Sequence, residues 1–101
     1  MTPVRILLVD DFAPFRSFVQ RILEGYPEWQ VVGEAADGAE ALQKAQELRP
    51  DLVLLDIDLP RLNGIEVARR LGSMVPPPKI LFLTSDCAPD IGRVALAVGA
   101  V

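Results

Sequence analysis

The 101 residues contain no histidine and a single cysteine, Cys87. An internal disulfide is therefore excluded, as are zinc sites built on imidazole or paired thiolates and any Ser–His or Cys–His nucleophile pair. Lysine is nearly as scarce, with Lys44 and Lys79 alone. Long apolar runs are missing too. Residues 6–9, 52–55, 80–83 and 94–101 are the longest, well short of the roughly 20 residues that span a bilayer, so no membrane contact is expected. The first run ends in Asp10 and Asp11, which the apolar centre of a secretory signal does not carry, and a cytoplasmic location is expected. Ten basic against 14 acidic side chains leave a net charge of -4. That balance repels a phosphate backbone, so DNA would be reached only through an output domain that the chain lacks. Chemistry is left to carboxylates, hydroxyls and two lysines.

What the sequence does hold is apolar: half of it, against 24% charged residues, too hydrophobic for disorder and the right size for one domain over residues 1–101. Three continuous apolar runs, residues 4–9, 51–56 and 79–84, suit parallel strands covered on both faces. Residues 30–35 form a weaker strand with Gln30, Gly33 and Glu34, as an outermost strand would. Between strands the period changes. Phe12, Phe15, Val19, Ile22, Leu23 and Tyr26 fall within about a 100° arc of a helix, with Asp11 placed to cap it and Pro14 in its opening turn. Ala41, Leu42, Ala45 and Leu48 make a second stripe ended by Pro50. Residues 65–71 and 89–98 are the third and fourth helices. The series β-α-β-α-β-α-β-α predicts an open parallel α/β sheet with helices on both sides.

In such sheets ligands bind beyond the carboxyl ends of the strands, where strand order reverses. Asp10 and Asp11 close the first strand, Asp56 the third and Thr84 the fourth. For Asp11 alone, helix capping is the commoner role. Asp56 has no helix directly after it to cap. Three gathered carboxylates repel one another unless a proton or cation intervenes, and an all-oxygen donor set suits Mg²⁺ or Mn²⁺ rather than zinc. A carboxylate beside such an ion can accept a phosphoryl group as an acyl phosphate. Asp56 is the candidate acceptor, with the Thr84 hydroxyl as a donor to a phosphoryl oxygen.

Leu8-Val9-Asp10-Asp11, Val32-Gly33-Glu34-Ala35-Ala36-Asp37-Gly38, residues 51–56 with Leu59-Pro60 and Asn63-Gly64, and Leu83-Thr84-Ser85 together resemble the receiver domain of bacterial two-component response regulators. The stretch Val31-Val32-Gly33-Glu34-Ala35 is most similar to the subfamily with a helix-turn-helix output. The resemblance implies a flavodoxin-like doubly wound sheet in strand order 2-1-3-4. It implies Asp56 as phosphoacceptor, supplied by a histidine kinase or phosphotransfer protein. Asp11 and Asp56 would hold Mg²⁺ directly with the Asp58 carbonyl, Asp10 would act through water, and Thr84 would be the switch hydroxyl relaying to a transcriptional output. Enzymatic activity would be limited to self-phosphorylation and self-dephosphorylation.

The family continues into a fifth strand ending in an essential lysine, then a fifth helix, and neither is in this sequence. Lys79 cannot replace that lysine, being five residues, roughly 16 Å of strand, before Thr84; Lys44 belongs to the second helix. A longer parent protein is the favoured explanation, ahead of element exchange with a second copy and of a truncated variant. As it stands, the chain would expose its fourth strand as an apolar edge and associate through it as a homodimer, with Phe18 losing cover. Phe12 reads as core of the first helix. Asp58 adds charge near the metal or is a solvated loop acid, and Ser85 crowds the pocket. Cys87, Trp29, Arg69 and Arg70 read as structural or surface residues, and Leu96 as part of a partner surface. Two other functions are weighed. One is a receiver that docks without accepting phosphate. The other is a haloacid-dehalogenase-like phosphohydrolase, suggested by Asp56-Ile57-Asp58, which lacks the hydroxyl and glycine expected next and any insertion to enclose a substrate.

Overall fold

A computed structural model describes residues 3–56 and 64–83. Strands β1 (Val4–Val9), β2 (Trp29–Ala35), β3 (Leu52–Asp56) and β4 (Lys79–Leu83) alternate with helices α1 (Ala13–Glu24), α2 (Gly38–Leu48) and α3 (Gly64–Leu71). All pairings are parallel and the order is β2-β1-β3-β4, so the expected fold class holds. The expected helix over residues 89–98, Thr84, Ser85, Cys87, Leu96 and Asp58 lie outside the described residues.

The central strands are buried on both faces because their residues alternate between two cores. Ile6, Leu8, Leu52 and Leu54 pack with Phe15, Val19 and Leu23 of α1. Leu7, Val9, Val53 and Leu55 pack with Ala41 and Ala45 of α2 and Val67 and Leu71 of α3. Among the described residues one helix therefore covers one face and two cover the other, and each fully buried Leu or Ile contributes roughly 1.5–3 kcal/mol. Phe18 keeps cover, half-buried against the α1-side core. Among the described residues β4 is an edge, and Phe82 on it is exposed.

Among the described residues strand β2 is the other edge. Its register with β1 slips by one residue: Val31 pairs with Ile6 and Gly33 with Leu7, leaving Val32 as an extra residue. Gly33 also lets α2 approach, since a Cβ there would lie 2.7 Å from Leu48 Cδ1. Helix α2 is closed at both ends. Asp37 Oδ1 accepts from the Glu40 N–H at 2.9 Å, and Glu40 Oε1 accepts from the Ala36 N–H at 2.7 Å, a reciprocal cap. At its other end Arg49 turns left-handed, φ 48°, and its N–H donates to the Ala45 carbonyl at 2.9 Å; Pro50 after it disfavours the helical conformation there.

Helix α1 departs from the expected stripe at both ends. Its N-cap is Phe12, with no side-chain cap, and Pro14 lies in the first turn as expected. Asp11 therefore does not cap it. Phe12 is not core either: it is 57% exposed, because the cap residue sits before the stripe begins. Tyr26 falls past the helix and lies against Trp29, ring centroids 4.8 Å apart. Urea denaturation should accordingly show Leu23→Ala losing about 2–5 kcal/mol and Phe12→Ala less than about 1 kcal/mol. Equal losses would return Phe12 to the core.

Candidate functional site

The site is made where β1 and β3 end side by side. Val9 pairs with Leu55, which sets Asp10, one residue on, abreast of Asp56, the last residue of β3. The Asp10 N–H donates to the Ala35 carbonyl of β2 at 3.0 Å. Both acids are buried, at 4% and 2% exposure, whereas Asp11, the next residue, is exposed. One carboxylate oxygen from each of Asp10, Asp11 and Asp56 lies within 4.8 Å of the others. The three acids expected to converge do so. Of the other two expected site residues, Asp58 and Thr84 fall outside the described residues.

Electrostatically the cluster is unbalanced. Asp10 Oδ1 accepts from the Phe12 N–H at 2.8 Å, but among the described residues its buried Oδ2 has no hydrogen-bond partner. Leu8, Phe15, Val19 and Leu54 close the space beneath the two buried acids. Burial pushes the Asp10 carboxyl up to about 6, the Phe12 N–H opposes this, and the charges of Asp56 and Asp11 add to the rise. A buried carboxylate oxygen without a donor calls for a proton or a cation. The donors are all carboxylate oxygens, so the arrangement fits a hard divalent cation.

Neither lysine reaches the cluster. Lys79 pairs with Leu52 at the far end of β3 from Asp56, about 13 Å away at strand rise. Lys44 pairs with Glu40 and donates to the Glu34 carbonyl. Among the described residues, a cation that does reach the rim is one that the sequence did not single out. Arg16, on α1, donates from Nη1 to the Asp10 carbonyl and from Nε to Glu34 Oε1 at 3.0 Å. Its signal in the sequence was faint: a charge immediately beside the apolar stripe, and an opposite charge in β2 directly before buried Ala35.

An acidic cluster at the carboxyl rim of a parallel 2-1-3-4 sheet, between the two strands where the order reverses, defines a phosphoacceptor-type receiver module. The chain belongs to the response regulator receiver domain family, which it matches over residues 6–101. It is 41% identical over 99 residues to protein-glutamate methylesterase/protein-glutamine glutaminase 1 of Methanospirillum hungatei, covering 96% of this chain and 29% of that protein. The chain thus spans less than a third of that relative's length. Its fold superimposes on the signal receiver domain of the putative response regulator NarL from Mycobacterium tuberculosis with a TM-score of 0.79 at 36% identity, covering 95% of this chain and 77% of that one. It superimposes on the response regulator domain of Thermotoga maritima CheB with a TM-score of 0.78 at 35% identity, covering 96% and 72%. Among the described residues no helix is long and apolar enough to cross a membrane.

The raised Asp10 carboxyl has a consequence for stability. The folded chain holds its proton more tightly than the unfolded one, whose value is near 3.8, so stability is lost as pH rises from there through about 6. Without metal, Asp10→Asn should be more stable than wild type at pH 7.5 by about 2–3 kcal/mol and show no such gain at pH 4. Asparagine keeps an oxygen for the Phe12 N–H. Urea midpoints for the two proteins at both pH values decide this, and an equal gain at pH 4 would refute the electrostatic cause.

Proposed function

We propose that residues 1–101 form a cytoplasmic receiver module in which Asp56 takes a phosphoryl group from a histidine kinase or phosphotransfer protein. The single observation behind this is the buried Asp56 carboxylate meeting those of Asp10 and Asp11 within 4.8 Å. The phosphorus–nitrogen bond of the donor phosphohistidine breaks as a phosphorus–oxygen bond to Asp56 forms, giving an acyl phosphate. Asp11 and Asp56 would hold Mg²⁺, or Mn²⁺ in its place, together with the Asp58 backbone carbonyl, and Asp10 would reach it through water. When bound, the ion would offset the charge of the phosphoryl oxygens. The Thr84 hydroxyl would donate to one of those oxygens and pass the change on to the rest of the module.

The module relays this state to an effector in a longer protein. The curated relative at 41% identity is named a methylesterase and glutaminase, which favours an enzyme of that kind as effector over the transcriptional output expected from the sequence. The second reading is the helix-turn-helix effector expected from the Val31–Ala35 stretch.

Incubation of the full chain with Mg²⁺ and acetyl phosphate, followed by intact mass, tests the phosphoacceptor role. A phosphoryl adduct should form on wild type, fail to form after chelation and be absent from Asp56→Asn. Turnover of the donor without an adduct would indicate a phosphohydrolase instead. No adduct and no turnover, repeated with a chain extended past Val101, would leave a docking module.

A further inference from the structure

We propose that Arg16 is a positioning residue for the metal ligands, acting through its grip on the Asp10–Asp11 peptide; this rests on the metal-assisted reading of the acid cluster above. The three acids are not held alike. Asp10 and Asp56 are fixed by burial at the ends of paired strands. Asp11 is exposed, so packing does not fix its carboxylate, and its direction is set by the peptide unit that carries it. The carbonyl of that peptide belongs to Asp10, and it accepts a hydrogen bond from Arg16 Nη1. The same guanidinium is anchored on its other side, Nε to Glu34 Oε1 at 3.0 Å, with the Arg16 side chain only 17% exposed. The Arg16 backbone N–H in turn donates to the Phe12 carbonyl at 3.2 Å. A planar fork thus joins α1, the rim of β1 and β2, and it keeps the Asp10–Asp11 peptide from rotating.

Two effects of this cation on a bound divalent ion oppose each other. Its positive charge repels the ion, while its fork holds a ligand in place. Glu34 at 3.0 Å offsets much of the first effect, since a close pair of opposite charges acts on a third charge more weakly than either member does. The geometric effect has no such offset, so it dominates. Lysine cannot reproduce it, because a single ammonium lacks the two-sided fork that spans a carbonyl and a carboxylate.

The readout is Mg²⁺ affinity, measured by calorimetry on the full chain and kept separate from phosphorylation. Arg16→Lys and Arg16→Met should both raise the Mg²⁺ dissociation constant, by about tenfold or more. Adduct formation with acetyl phosphate should slow by a similar factor at limiting Mg²⁺ and recover at saturating Mg²⁺. Glu34→Gln, which keeps the bond to the Asp10 carbonyl while removing the countercharge, tests the role without touching Arg16 and should weaken binding less than either. Tighter Mg²⁺ binding by Arg16→Met would show that charge dominates and would overturn the proposal, as would an Arg16→Lys chain equal to wild type. If Arg16→Met fails to fold, Arg16→Lys alone decides. Weakened Mg²⁺ binding in Arg16→Lys, with no phosphoryl adduct even on wild type, would uphold the role of Arg16 while rejecting Asp56 as acceptor.

Discussion

Three carboxylates pressed together are the least comfortable arrangement in this chain, and much of its architecture serves to hold them there. Two sit at the ends of adjacent parallel strands, where the ladder between β1 and β3 leaves them no room to part. Each strand is buried on both faces, so neither can tilt away without opening a core. The cost of burying Asp10, with the smaller repulsion from Asp56 and Asp11, is thereby stored in the native state rather than relieved by movement, as the raised Asp10 carboxyl and its unpartnered oxygen record. A fold with its acids on flexible loops would spread them apart. This one keeps them converged before any ion arrives, which is the preorganisation that metal-assisted phosphoryl chemistry requires.

That arrangement also explains why the acid cluster lies at the ends of these two strands. β1 and β3 contribute alternate residues to both cores, and they flank the point at which the chain reverses its direction of travel across the sheet. Their carboxyl ends are therefore the place where helices depart to opposite faces and leave a crevice. Charge built there meets elements from both layers: α1 through Arg16, and β2 through Glu34 and the Ala35 carbonyl.

How much of this could be read from the residues alone varies with the physics involved. The central strands and the order of elements were legible because parallel strands buried on two faces leave unbroken apolar runs. Asp10, Asp11 and Asp56 were legible because each terminates such a run. Element ends were less so. Asp11 was expected to cap α1 and Phe12 to join its core, yet the helix begins one residue later, with Phe12 as the uncapped, exposed cap residue. Glu34 was read as the polarity of an outer strand and as one member of a family motif, with no partner assigned, and Arg16 drew no attention. Their meeting depends on the pairing of β2 with β1, which no local pattern announces.

The slip at Val32 carries more than its size suggests. Strict alternation after Val31, which packs beneath α1, would turn residue 34 towards the layer of α2 and α3. The additional residue resets the parity, so Glu34 stands opposite Leu8, on the side where Arg16 waits. A single amino acid inserted into the outermost strand thus decides which half of the molecule receives a negative charge, and with it whether the arginine has anything to lean on.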